Sequence, residues 1–234
     1  MIGAKIKIDD NHVCVGVPHK IDSRTSHIYF LAFPSWRLKK ENETTRQKMK
    51  FPGGRQEPGE KTNETLRREF REEISINGCE ISFDENPLLV FPEKDERKKG
   101  GVTHWKFAFL VYDIKGELRT QTKAESRKLD DEGRVIGQTF LGVPEWVEAA
   151  KLLRTFQVQR FSTRFHFLSF IFAMNCLMKT NVSDVAKRYG SMIEPFDEIV
   201  TDFKKLMESS SDDIESFDDT LRKYGALLGI RFHD

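Results

Sequence analysis

Cysteine is scarce. Cys14, Cys79 and Cys176 are the three in 234 residues, and their odd number and wide spacing, with neither CxxC nor metal-finger pattern, exclude a disulfide scaffold and a zinc ribbon. A reduced, intracellular setting is the expectation. Also missing is a surplus of charge of either sign: 38 Lys and Arg against 37 Asp and Glu leave a formal net charge of +1. That removes the overall electrostatic argument for a polyanion or an acidic membrane surface as principal partner. Basic residues gather only locally, at Arg37, Lys39 and Lys40, at Arg46, Lys48 and Lys50, and at Arg97, Lys98 and Lys99. No apolar run approaches the ~20 residues that span a bilayer, and Met1 to Asp10 has no signal-peptide core. A cytoplasmic protein without membrane contact is expected. What is present, 38% hydrophobic and 32% charged residues, is too apolar for a disordered chain and suits one or two folded domains.

Two early runs, His12 to Val17 and His27 to Phe33, are short and rich in β-branched and aromatic residues, as core strands are. Pro34 to Lys50 is polar and charged around a single Trp36, and reads as a long loop leading into Phe51, Pro52, Gly53 and Gly54. From Lys61 to Ile74 the spacing of Leu66, Phe70, Glu73 and Ile74 predicts a helix, with Lys61, Arg67 and Arg71 toward solvent. Cys79 to Phe83, Leu88 to Phe91 and Thr103 to Ile114 read as further strands.

Lys115 to Gly137 reads as a second long loop holding Glu125, Asp130, Asp131 and Glu132, and Pro144 to Leu153 as a helix closing the first domain. After Arg154 the pattern is helical only, which marks a boundary or an appended layer. Val158 to Met178 is apolar nearly all round from Phe165 onward and must be buried. A second helix is announced by Pro195, and a third carries Ile214, Phe217, Leu221, Tyr224 and Leu228.

The chemistry is concentrated between Gly54 and Ile76. Glu69, Glu72 and Glu73 stand at i, i+3 and i+4, so all three project from one side of a helix. Like charges at that spacing repel by a few tenths of a kcal/mol per pair (about 0.2–0.5). An exposed helix laced with ion pairs to Arg67, Arg68 and Arg71 is the ordinary alternative for E-x-x-E-E alone. The glycine loop directly before the helix favours another reading, because it lets backbone approach a phosphate or metal, and clustered oxygens suit Mg²⁺ or Mn²⁺.

In this segment the sequence resembles the Nudix hydrolases, whose signature is G-x5-E-x7-R-E-U-x-E-E-x-G-U with U a bulky aliphatic residue. Gly54, Glu60, Arg68, Glu69, Glu72, Glu73 and Ile76 fall in register, Phe70 is aromatic at the first U, and Ser75 stands where the signature has glycine. Asn77 and Gly78 follow and can supply the turn one step later. The resemblance covers about Lys5 to Leu153. It implies an α/β/α sandwich with a mixed sheet and a Nudix hydrolase domain over residues 1–154; residues 155–234 lie outside the resemblance and read from their own pattern as a helical extension, serving as a lid, a dimerisation surface or an interaction layer. It also implies Mg²⁺ or Mn²⁺ held by Glu69, Glu72, Glu73 and the Gly53 carbonyl, with Glu69 a ligand or the base that activates water, and Arg68 with Glu60 bracing the loop at Gly54.

The resemblance further implies an additional acid from a loop outside the box, for which Asp131 or Glu132 is the candidate. Trp36 is a candidate to stack on a nucleobase, and Arg55 to meet substrate. The function expected is hydrolysis of a phosphoanhydride in a nucleoside diphosphate linked to a second group, such as a nucleotide sugar or ADP-ribose. Two alternatives stand beside it. One is hydrolysis at an RNA 5′ end, with the basic stretches as a track. The other is a ligand-sensing transcriptional regulator, since Asp184 to Gly190 looks like the start of a helix-turn-helix, although the acidic run Glu194, Asp197, Glu198 and Asp202 that follows would repel DNA.

Overall fold

The computed structural model describes residues 12–39, 48–94, 103–129, 132, 135–158, 164–180, 184–209, 219–220 and 222–224. Its strands are β1 (Val13–Ile21), β2 (Ile28–Lys39), β3 (Lys48–Lys50), β4 (Gly53–Arg55), β5 (Glu80–Phe83), β6 (Leu89–Lys94), β7 (Thr103–Lys115), β8 (Lys123–Leu129), β9 (Val135–Leu141) and β10 (Glu145–Glu148). Its helices are α1 (Thr62–Glu73), α2 (Ala149–Val158), α3 (Arg164–Thr180) and α4 (Asp184–Ser209).

The sheet runs β5-β7-β1-β2-β9-β8, with β10 and β3 also paired to β2, β4 to β1 and β6 to β7. Among the described residues only β1 and β7 pair in parallel, from Val13 opposite Lys106 to Pro18 opposite Val111; every other named pairing is antiparallel. It is the mixed sheet that the sequence predicts.

Alternation along the strands builds two cores, because successive side chains leave a strand on opposite faces. Cys14, Leu31, Phe33, Phe109 and Val111 face α1 and pack with Leu66, Phe70 and Ile74. Val15, Val17, Phe30, Ala32, Ala108 and Leu110 face the other way and join α2, α3 and α4. The sheet is therefore covered on both sides, which is why its strands read as continuous apolar runs.

Four segments differ from the sequence expectation. Residues 34–39 continue β2, and Lys48–Lys50 return as β3 with Lys50 opposite Phe33; the charged stretch hides a strand whose outer half faces water. The segment read as a second loop contains the hairpin of β8 and β9, again at the sheet's margin, where few apolar residues are needed. Glu145–Glu148 is a strand on β2 before α2 begins, since Trp146 and Val147 suit a pleated surface better than a first helical turn. Pro195 lies inside α4 rather than at its start, so one helix runs unbroken through Gly190, where a helix-turn-helix would need its turn.

α3 answers the demand of its composition. Thirteen of its 17 residues are buried, covered by the sheet and by α4 within one chain. The third C-terminal helix lies largely outside the described residues, except that Tyr224 is buried and its hydroxyl donates to Asp202 of α4 at 2.5 Å.

Candidate active site

α1 follows the glycine loop because Lys61 holds an extended conformation while its N–H donates to Glu64 Oε2 at 2.8 Å, tying down one free donor at the helix start. The buried face of the helix is Thr65, Leu66, Glu69, Phe70 and Glu73. Two carboxylates thus share an apolar face with the residues that dock the helix. Arg67 and Arg71 are exposed, as predicted.

Glu73 is 3% exposed. Its Oε2 accepts the Gly53 N–H at 2.8 Å, while Oε1 is buried with no hydrogen-bond partner among the described residues. Burial pushes this carboxyl up to about 8, reinforced by the charges of Glu69 and Glu125 and opposed by the Gly53 N–H and Lys50. Glu69 is also raised, first by burial, then by Glu72 and Glu125, against the pull of Arg68. A buried acceptor left unmatched is costly, and a cation is the partner that satisfies it.

The loop is shaped to meet those oxygens. Gly53 has φ +149°, and a side chain on it would run into the Cys14 carbonyl at 2.2 Å. A Cβ on Gly54 would stand 2.2 Å from Glu69 Oε1. Main chain and carboxylates are thus pressed together.

Arg68 braces the assembly. Its Nε and Nη2 donate to the two Glu60 oxygens at 3.0 and 3.1 Å, Nη1 to Glu69 at 2.8 Å, and Nη2 to the Arg55 carbonyl at 2.8 Å. Desolvation would raise the Glu60 carboxyl, but Arg68, the Glu57 N–H and the Thr65 hydroxyl outweigh it and hold Glu60 below the usual range. Glu72 is exposed, with Arg68 at 3.6 Å. Among the described residues no group of three or more His, Cys, Asp or Glu side chains is close enough together to hold a metal ion.

The helix end departs from the signature without harm to it. Ser75 forms a bridge with Leu118, its hydroxyl donates to the Arg71 carbonyl at 3.2 Å, and the left-handed turn is taken at Gly78, φ +92°. Arg119, buried at 7% exposure, donates through Nε to the Glu73 carbonyl and through Nη2 to the Gly142 carbonyl at 2.6 Å. Its own N–H donates to Ile74 O at 2.8 Å. The side chain and the backbone N–H of Arg119 thus satisfy the Glu73 and Ile74 carbonyls at the helix end.

The structure brings Gly53, Gly54, Glu60, Arg68, Glu69 and Glu73 together, with Glu72 at the rim. Arg55 is exposed on β4 beside them. Asp131 lies outside the described residues, and Glu132 is exposed in the turn between β8 and β9. The acid whose charge reaches Glu69 and Glu73 is Glu125 of β8. A bulge between Ala124 and Ser126 sets Glu125 out of the regular alternation, which sequence spacing does not reveal. Trp36 stacks on its cross-strand neighbour Phe140 at 5.8 Å and 14°. Alternation from Phe33 and Ser35 puts it on the sheet face away from α1.

The family model for the NUDIX domain matches residues 11–166, well over half of the chain. The chain belongs to the Nudix family. It is a Nudix hydrolase, with the box at Gly54 to Ile76, and the family generally uses divalent metal ions. No curated protein matches it. Among solved structures, the NUDIX domain of Shewanella oneidensis NrtR, in complex with ADP ribose, is 12% identical and covers 72% of this chain and 89% of its own, with a TM-score of 0.43. A NUDIX hydrolase from Nitrosomonas europaea is 18% identical over 70% and 88%, with a TM-score of 0.41. The Escherichia coli ORF135 protein is 19% identical over 62% and 77%, with a TM-score of 0.37. These likenesses are too distant to speak to substrate.

Proposed function

We propose that this Nudix hydrolase cleaves, with Mg²⁺ or Mn²⁺, the phosphoanhydride of a nucleoside diphosphate linked to a second group, giving nucleoside monophosphate and the phosphorylated second group. The observation that carries the reading is Glu73, with one oxygen fixed by the Gly53 N–H and the other buried without a partner among the described residues. Glu73, Glu72 and the Gly53 carbonyl are the residues that would hold the ion, with Glu69 left as the base. Beside Asp131 and Glu132, Glu125 is a further candidate for the additional acid, since its charge reaches Glu69 and Glu73. When bound, the ion supplies charge to offset that developing on the phosphate oxygens and acidifies a nearby water.

The protein's own groups do the rest. Glu69, raised by burial, is a stronger base than a surface carboxylate and accepts a proton from the attacking water. Arg68 fixes Glu69 in place and ties it to Glu60, so the base does not follow the substrate's motion. Lys50, on the face of β3 that Phe33 shares with α1, places positive charge where an anionic substrate approaches Glu73.

The test is release of phosphomonoester from ADP-ribose, nucleotide sugars, dinucleoside polyphosphates, nucleoside triphosphates and triphosphorylated RNA, with Mg²⁺, by wild type and Glu73→Gln. Turnover of one class, lowered at least ~100-fold by the substitution, supports the reading and names the second group. Turnover confined to the RNA moves the assignment to its 5′ end. Absence of metal-dependent turnover overturns the proposal.

A further inference from the structure

His166 lies on α3, far in sequence from the box. It is 7% exposed, and its Nδ1 accepts the N–H of Phe51 at 3.2 Å. Its ring packs against that of Phe51, 6.1 Å between centroids. Phe51 is followed by Pro52, whose carbonyl accepts the Gly16 N–H at 2.9 Å, and by Gly53, whose N–H reaches Glu73 at 2.8 Å. The fixed φ of proline leaves little slack in between.

Three consecutive residues of the loop are therefore anchored to three different elements: Phe51 to α3, Pro52 to β1 and Gly53 to α1. Two of those anchors lie in β1 and α1. The third comes from the first turn of α3, at the end of the residues the family model matches. Because Nδ1 is the acceptor, the imidazole carries its proton on Nε2 and is neutral. Burial, and after it the charges of Lys50 and Lys106, disfavour the charged form.

We infer that His166 is a positioning residue for metal binding: by holding the Phe51 amide, α3 fixes the placement of the Gly53 peptide against Glu73, so the C-terminal layer is part of the active site's support. The inference rests on the proposed metal role of Glu73 and Gly53. A histidine present only to fill the core would fill it equally well as phenylalanine. A histidine required as an acceptor is replaced by asparagine, whose side-chain oxygen reaches close to the Nδ1 position.

The experiment measures Mn²⁺ binding to the full-length protein by the loss of the free-ion electron paramagnetic resonance signal, for wild type, His166→Phe, His166→Asn and Glu73→Gln. The expected result is affinity weakened about tenfold or more in His166→Phe, as for other groups that orient metal ligands, and within about threefold of wild type in His166→Asn. His166→Phe binding Mn²⁺ like wild type, while Glu73→Gln does not bind, overturns the positioning role and leaves the metal site standing. Glu73→Gln binding like wild type overturns the metal reading itself. Should His166→Phe not fold, the wild-type protein decides: a scalar coupling across the hydrogen bond between Phe51 ¹⁵N and His166 ¹⁵Nδ1 supports the inference, and its absence overturns it.

Discussion

Gly16 and Phe70 are a matched pair. A Cβ on Gly16 would lie 2.5 Å from the Phe70 ring, so the bare backbone of β1 makes room for the aromatic residue that replaces an aliphatic one in the signature. Gly16→Ala therefore overpacks the α1 side of the sheet and should lower the urea-denaturation free energy by roughly 1–3 kcal/mol, with little change if Phe70→Leu is made at the same time. Gly54→Ala is predicted to act differently. The added methyl strikes the Glu69 carboxylate, so activity should fall by at least ~10-fold while the same denaturation curve moves much less. Glu73 sets the pH behaviour of the metal-free protein. Its carboxyl lies near 8 when folded and at the usual 4.5 when unfolded, so the folded state binds a proton that the unfolded chain has already lost. Stability is greatest below the lower value and falls as pH rises through 8. Thermal melts from pH 5 to 8.5 without metal should show that fall, and saturating Mg²⁺ should remove most of it.

Elements differ in how openly the sequence announces them. α1 and its carboxylates were legible because a 3.6-residue period and fixed motif spacing coincide there. The paired cores were legible as apolar runs. β8, β9 and the outer half of β2 were not, since marginal strands gain their order from neighbours rather than from their own apolar content. The same cause hid Glu125 and Arg119, whose roles depend on a hairpin that charged residues disguise. The stacking of Trp36 was not legible either, because its partner Phe140 is over a hundred residues away. At the end of α1, Ser75→Gly should leave turnover within about twofold of wild type, because Arg119 and the bridge to Leu118 already terminate the helix. Arg119→Ala should cost roughly 2–4 kcal/mol in denaturant titration, since it removes the guanidinium donors to the Glu73 and Gly142 carbonyls.

At the scale of the molecule, the C-terminal helices and the box share one sheet. α3 and α4 cover the face built by Phe30, Phe51 and Phe91, and Tyr189 of α4 donates to Glu148 at 2.7 Å while accepting the Ile28 N–H at 3.1 Å. Tyr189→Phe removes both links and should reduce stability by about 1–2 kcal/mol with turnover preserved. The apolar surface that made α3 a candidate for dimerisation is already covered within the chain, so light scattering is expected to give a monomer mass. The central claim is that the partnerless oxygen of Glu73 receives a divalent ion. Isothermal titration of Mg²⁺ at pH 7, in two buffers of different ionisation enthalpy, tests it most directly, because an ion displacing a proton from a carboxyl raised to about 8 must release it to buffer. The account predicts about one proton released per site in wild type, and neither release nor binding in Glu73→Gln. Equal binding by the two proteins, with heats that do not depend on buffer, would contradict it.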